Sequence, residues 1–562
     1  MPLPDSRRYL VDIDSVSTPQ QSTDYLVIGA GIAGLRTAIE ASQTGSVTVV
    51  TKGTVEDSNT WHAQGGIASV LDKTDDFESH IADTLRTGGG LSDEKIVDIV
   101  VRQGPQLIRQ LLNWGVAFDM DNGNIATTLE GGHSHARIAH AHGDETGKII
   151  AQTLIAKARQ QRNIKIIENL FTLDLLTVNN KCLGIIGWQK DLGLRIIWAS
   201  NTILATGGAG QLYRETTNPS CATADGLAIA WRAGAILRDL EFVQFHPTTL
   251  YIAGASRALI TETLRGDGAV LLDSKGRAFM KDYNPAAELA PRDIVSRAIL
   301  TQMLKTKSTH VYLDIRHFDK QHFTKRFPVI SELCESFDID ISRDLIPVRP
   351  SAHYMVGGVK TDIASKTSIE NLYACGEVSS TGLHGANRLG SNSLLEGLVF
   401  GRIAGQTAIN HKPARPAQPI IKYEIPHSDR THLDTADVKN SLRALMWRNV
   451  GITRKAHDLK QAVEQIRFWQ RYVMDKQFDN PQGWELQNML IVCLLIAQSA
   501  LARKESRGVH FRIDYPDTDD EHFKNHTDLP APECRRQGSS ALSSVAKAKG
   551  VALAKSEIKR AE

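Results

Sequence analysis

A chain of 562 residues, 41% apolar and 23% charged, is long enough for three or four domain-sized units and has the make-up of a globular protein. That excludes collagen-like, disordered and disulfide-scaffold chains. Lys+Arg 65 against Asp+Glu 63 leaves a formal charge of +2, so no surface-wide grip on nucleic acid is expected.

The charge is unevenly spread. From Arg535 to Glu562 there are seven basic and two acidic residues, a local +5 that leaves the rest at about −3. Such a Ser/Ala/Lys-rich tail reads as a solvated, disordered end. The six cysteines (Cys182, Cys221, Cys334, Cys375, Cys493, Cys534) form no C-x-x-C pair. No iron–sulfur or Cys-type metal site is therefore expected, and the thiols read as reduced and cytoplasmic. Met1–Asp14 lacks the apolar stretch of a signal peptide. The longest apolar run, Met489–Ala497, falls short of the roughly 20 residues that span a bilayer, so no membrane is expected.

In chain order, Tyr25–Ala30 is an apolar strand, Gly31–Ser42 has helical spacing and Val47–Thr51 is β-rich, a βαβ unit. Its turn reads Gly29-Ala30-Gly31-Ile32-Ala33-Gly34, a G-x-G-x-x-G between strand and helix. There the first Gly permits the turn, the second the approach of a pyrophosphate, and the third the packing of helix on strand. The alternative is a Gly-rich turn with no ligand. The acid expected about 20 residues on is missing; Thr51 and Lys52 stand there, suited to a ribose hydroxyl and a phosphate. Asn201–Ala205, running into Thr206 and Gly207, and Asn371–Ala374, running into Gly376 and Glu377, are further strands ending in Gly. Together they suggest one nucleotide domain interrupted at about 243–352. Apolar spacing then predicts helices at Asp434–Trp447, Thr453–Asp475 and Trp484–Arg503.

Several segments carry chemistry. Asn59-Thr60-Trp61-His62-Ala63-Gln64-Gly65-Gly66 is a polar loop able to line a flat cofactor edge. Glu130 precedes His133, His135, Arg137, His140 and His142; zinc, a hydrogen-bonding loop and a site for an anionic substrate all remain open. Gln244, His246, Thr261, Glu262 and Arg292 lie in the insertion, and His353, Arg388 and Ser391 flank its return. Brought together, His246, Arg292, His353 and Arg388 would clamp a dicarboxylate, because Arg forks bind carboxylates bidentately and His adds directed donors.

The G-x-G-x-x-G at Gly29, Ala63-Gln64-Gly65-Gly66-Ile67, His246-Pro247-Thr248, Pro291-Arg292-Asp293, Ala374-Cys375-Gly376-Glu377 and Glu505-Ser506-Arg507-Gly508 resemble, in order, the succinate dehydrogenase/fumarate reductase flavoprotein superfamily. The segment from Glu130 to His140 resembles its amino-acid-oxidising branch.

The resemblance implies an α/β fold: a glutathione-reductase-like FAD-binding domain (1–242 and 353–424), an inserted α+β capping domain (243–352), and a C-terminal helical domain (425–530) before the tail (531–562). It implies FAD along Gly29–Gly34, Thr51/Lys52 and Asn59–Gly66, completed by Phe171, Thr172, Thr206, Gly207, Asp225, Glu377, Ser393 and Leu394. Glu377 would replace the missing ribose acid. Asn59 stands where membrane-bound relatives carry the histidine bonded to FAD, so the flavin is expected to be noncovalent.

The implied reaction is oxidation of L-aspartate to 2-iminosuccinate, with O2 or fumarate as acceptor, at the start of NAD biosynthesis. A quinolinate synthase partner and a monomer or weak homo-oligomer go with it. The rival is a soluble fumarate-reducing or succinate-oxidising subunit. Arg388, His353 and His246 would hold carboxylates, with Gln244, Thr261 and Ser391 beside them. Arg292 would be the proton donor/acceptor, relayed through Glu262 or Asp293. A carboxylate at Glu130 would repel succinate but pair with an α-ammonium.

Overall fold

Gln20–Ile28 forms the centre of a seven-stranded sheet. The strand begins earlier than its apolar run because Gln20–Thr23 pair in parallel with Ile196–Ala199. Its neighbours are Gly193–Leu204 on one side and Val47–Val50, then Ile164–Ile167, on the other, all parallel. Leu372–Ala374 joins the end of Gly193–Leu204, and Lys181–Gln189 and Phe171–Val178 extend the sheet antiparallel. Tyr25, Leu26, Val27, Val49 and Ile203 are all buried, as strands covered on both faces require. Five parallel strands end on one edge, at Ile28, Val50, Ile167, Leu204 and Ala374, where open α/β sheets bind ligands.

The computed structural model describes residues 7–252, 257–411, 418–425 and 433–531. The basic tail and Cys534 lie outside them.

Between the two halves of this layer runs a four-stranded antiparallel sheet, in the order Val243–Leu250, Ile346–Met355, Val311–Asp314, Val270–Leu272. It has its own apolar core around Leu264, Val295, Ile299, Phe323 and Ile346. The helix Arg292–Thr306 starts directly after Pro291, so Arg292 sits in its first turn.

The carboxyl-terminal helices are Thr435–Asn449, Ala456–Val473 and Pro481–Ala502. Caps set their starts: Asp434 accepts from the Ala436 and Asp437 N–H groups, and Asn480 from Gly483, with Pro481 at the first turn. Pro481–Ala502, at 22 residues, is by length and composition apolar enough to span a bilayer, although its uninterrupted apolar run is only Met489–Ala497. Here it is a core helix: Leu486, Met489, Leu490, Ile491 and Leu494 are buried in the same cluster as the sheet residues Leu26 and Leu204. Buried ion pairs tie the layers together. Arg232 Nε lies 2.7 Å from Asp174 and its Nη1 2.6 Å from Asn488. Arg503 Nε lies 2.6 Å from Glu241.

Candidate active site

The strand ends open into a cleft of about 1570 Å³, including its mouth to solvent. Of the expected cofactor residues, Gly29, Ala30, Gly31, Ile32, Ala33, Thr51, Lys52, Asn59, Thr60, His62, Ala63, Phe171, Thr172, Thr206, Gly207, Asp225, Glu377, Ser393 and Leu394 line it. The backbone explains the glycines. Gly29 has φ +113°, and a Cβ there would lie 2.1 Å from the Ala205 carbonyl oxygen. At Gly34 a Cβ would lie 2.0 Å from the Gly29 oxygen, so that residue packs helix on strand and does not face the cleft. The helix Ile32–Ala41 has no acid in its first turn and no cap from Gly31 itself; Thr60 Oγ1 accepts from the Ile32 N–H at 3.0 Å, and the rest of its amino end faces the cleft, suited to an anion. Asn59 Oδ1 and Thr206 Oγ1 are buried without a partner on this lining. An open helix terminus and orphaned polar atoms along one long cleft fit a dinucleotide such as FAD.

Other expectations shift. Trp61 packs on the core cluster of Ile32 and Val97, and Gly66 lies against Ala139, where a Cβ would meet that carbonyl at 2.4 Å. Neither residue lines the cleft, nor do Gln64 and Gly65. Lys52 does line it, but its ammonium is held by Thr223 at 2.7 Å, Asp225 at 2.8 Å and Glu485 at 2.5 Å. It is a cross-link to the helix Pro481–Ala502 rather than a free phosphate ligand. Glu377 accepts from Asn59 Nδ2 at 2.8 Å and from the Met355 N–H at 2.9 Å. Burial pushes its carboxyl up to about 7.

Beyond His353 the clamp assembles. Glu262 accepts from Arg292 Nε at 2.6 Å and Arg265 Nη2 at 2.8 Å. Burial opposes its ionisation, but the two guanidinium groups outweigh it and bring the carboxyl down to about 2. Gln244 Oε1 accepts from Arg388 Nε at 3.2 Å and Arg292 Nη1 at 3.4 Å, which holds the two arginines side by side. Arg388 also donates to Ser393 at 2.8 Å and stacks on Tyr354 at 4.4 Å. Burial and Arg292 lower its guanidinium to about 10, still cationic at neutral pH.

His246 and His353 sit ring to ring at 5.1 Å. Burial and Arg292 hold both well below the usual imidazole range, so they are neutral donors or acceptors and add no charge. His353 Nδ1 is taken by Thr217, and His246 Nε2 is buried without a partner.

Glu130 Oε1 accepts from Thr263 at 3.0 Å and Oε2 from Ser391 at 2.8 Å. Burial, then the charge of Glu262, pushes its carboxyl up. Gly390 is the hub: a Cβ there would come within 3.5 Å of Glu262, Glu130 and Arg292. Among the described residues, the Thr261 hydroxyl meets Thr263 alone, at 3.3 Å.

Asp293 spends its carboxylate on Arg297 at 2.8 Å and Asn387 at 3.1 Å rather than on Arg292. The histidines near 133–142 do not converge: His133 meets the Gly390 carbonyl, His135 Ser79, and His140 Thr128. Arg137 is locked on Asp75 and Asp83. Among the described residues, no group of three His, Cys, Asp or Glu is placed to hold a metal. Sequence reasoning missed Thr263, Tyr354 and the role of Arg265, whose spacing from Glu262 on one helical turn was the available signal.

Comparisons with known proteins agree with this geometry. The family described as FAD binding domain matches residues 24–394, and that described as fumarate reductase flavoprotein C-term matches 439–540. An L-aspartate oxidase of Nostoc sp. is 42% identical over 92% of this chain and 94% of its own. One of Yersinia pestis is 40% identical over 89% and 97%. Among solved structures, an E. coli quinol fumarate reductase chain matches with TM-score 0.83 and 32% identity, over 91% of this chain and 94% of its own.

Proposed function

The chain belongs to the succinate dehydrogenase/fumarate reductase flavoprotein superfamily, in its L-aspartate oxidase branch, and on that premise we propose how its residues act. It is an FAD-dependent enzyme that oxidises L-aspartate to 2-iminosuccinate at the start of NAD biosynthesis. FAD, held along Gly29–Gly31, Thr51 and Glu377, would supply the acceptor for the Cα hydride, with O2 (giving H2O2) or fumarate (giving succinate) as the final electron acceptor.

The chain's own groups bind, orient and move protons. Arg388 and Arg292, braced by Gln244, carry the positive charge for two carboxylates. His353 and His246 add neutral directed contacts, since both are held un-ionised. Glu130, buried beside this clamp, takes the α-ammonium. That carboxyl group, which no cation pairs with among the described residues, is the observation that carries the reading, because an α-ammonium supplies the missing charge. For fumarate, Arg292 donates the proton, and Glu262 with Arg265 behind it restores it. A guanidinium is too weak an acid to serve as a plain base for L-aspartate. There Arg292 positions and polarises.

Asn59 donates to Glu377 and offers no ring nitrogen, which supports a noncovalent flavin. The separate apolar core of 243–352 supports its reading as a capping domain between the two FAD-binding segments, with 425–530 as the helical domain. A cytoplasmic, monomeric or weakly associating enzyme that passes its product to a quinolinate synthase completes the proposal.

The test is anaerobic titration of the purified protein with L-aspartate. The flavin absorbance should bleach, and Arg292→Leu should lose turnover while retaining FAD. An unbleached flavin would sink the reading.

A further inference from the structure

Two carboxylates meet at Gly390, and they are held differently. Glu262 spends both oxygens on guanidinium groups. Glu130, 2% exposed, accepts only the hydroxyls of Thr263 and Ser391, and among the described residues no cation pairs with it. A hydroxyl can donate to a carboxylate or, by rotating, accept from a carboxylic acid. This seat therefore holds either form of Glu130 without moving a heavy atom.

The groups that face Glu130 are few. Glu262, Thr263 and Arg265 come from the segment after Thr261, Arg292 from the start of its helix, and Arg388 and Ser391 from the loop around Gly390. His133, on the Gly390 carbonyl, is buried and neutral. Arg265, Arg292 and Arg388 against ionised Glu262 leave a surplus of two positive charges when Glu130 is neutral and one when it is ionised. Fumarate and succinate are dianions, whereas L-aspartate with its ammonium is a net monoanion. Each ligand neutralises the pocket with a different form of Glu130.

We propose that Glu130 binds a proton from solvent when a plain dicarboxylate occupies the pocket and releases it when L-aspartate does, so that one rigid site serves electron donor and acceptor by moving a single proton. This rests on the reading above that both ligands share the pocket. In the free site, burial and the neighbouring Glu262 raise the Glu130 carboxyl above its ordinary value. The incoming ammonium supplies the cation that Glu130 lacks and lowers it again.

The experiment uses the holoenzyme and malonate, a dicarboxylate that cannot be dehydrogenated to an alkene, over a pH range in which malonate stays fully ionised. As pH rises through the Glu130 midpoint, the Kd of malonate should climb by up to about tenfold per pH unit, while kcat/KM for L-aspartate climbs over the same interval. In Glu130→Gln, which keeps an acceptor for Thr263 or Ser391 but cannot ionise, both profiles should be flat. Should that variant lose FAD, the opposite slopes in the unaltered enzyme, with proton uptake read from malonate binding heats in two buffers, still decide. A malonate Kd that does not change with pH, or that improves along with L-aspartate, overturns the proposal. Failure of malonate to compete with L-aspartate would remove the shared pocket itself.

Discussion

Lys52→Met separates two roles for one ammonium. If Lys52 is a cross-link, the variant leaves Asp225 and Glu485 buried without their shared cation; both partners are under one-sixth exposed and Lys52 itself is 23% exposed. Removing one partner of a fully buried pair costs about 3–5 kcal/mol. The partial exposure of Lys52 reduces that, and Glu485 keeps Lys439 at 2.9 Å while Asp225 keeps Asn488 and Thr223. We expect a loss of about 2 kcal/mol.

The assay is urea unfolding of the apoprotein, read as a lower midpoint at unchanged slope, beside FAD affinity measured by fluorescence quenching. The sign with pH follows from Asp225, whose carboxyl is held below its ordinary value chiefly by Lys52 against the cost of burial. Its contribution is present above the usual carboxylate range and fades as pH falls through the depressed value, and Met should abolish much of it. Unchanged apoprotein stability with FAD affinity down more than about tenfold would refute the cross-link and return Lys52 to a phosphate.

Other outcomes follow from the same geometry. Tyr354→Leu removes the ring under Arg388 and should raise KM for L-aspartate about tenfold, with kcat less affected; an unchanged KM would show that Gln244 and Ser393 suffice. Arg265→Met strips Glu262 of its second cation and should slow fumarate reduction more than L-aspartate oxidation, measured with each acceptor in turn. Glu377 in the free cleft titrates at about 7, so a ribose hydroxyl that donates to its ionised form should make FAD binding weaken as pH falls below that value, with proton release seen calorimetrically. Glu377→Gln should remove that dependence. His80, His133 and His140 are held neutral at about 3, 4 and 4 by burial. Unfolding lets them charge, so stability should fall as pH drops from about 6.5 toward 4, each contributing about 3 kcal/mol at most.

Local chemistry was readable where a backbone constraint or a periodicity dictates the residue. The turn at Gly29 and Gly34 needs glycine for steric reasons visible in the motif itself, and the carboxyl-terminal helices announce themselves by apolar spacing. Partner choice was harder to read. Lys52 sits where a phosphate ligand would, yet Glu485, more than four hundred residues on, takes its ammonium. Asp293 adjoins Arg292 in sequence, but the helix turns it toward Arg297. The histidines near 133–142 left zinc open, and His246 and His353 read as directed donors; burial beside Arg292 leaves both of the latter neutral, which their spacing does not reveal. Desolvation of this kind depends on everything packed around a group, which no local pattern encodes.

The Arg503–Glu241 pair bears on how far the molecule can be divided. Glu241 immediately precedes the inserted sheet, and its carboxylate, fully buried, is met by Arg503 and by Thr527 Oγ1 at 2.7 Å. Arg454 donates to the carbonyl of the same residue at 2.6 Å. A chain cut after the sheet and insertion would keep every residue of the clamp and nearly all of the cleft, yet would strip Glu241 of Arg503, Thr527 and Arg454 and expose the apolar core that Pro481–Ala502 shares with Leu26 and Leu204. The parts resemble interchangeable modules in sequence order, but they share charges across their borders. The helical end is thus a condition for the catalytic half to exist, and its loss should be felt as failure to fold before any effect on chemistry can be measured.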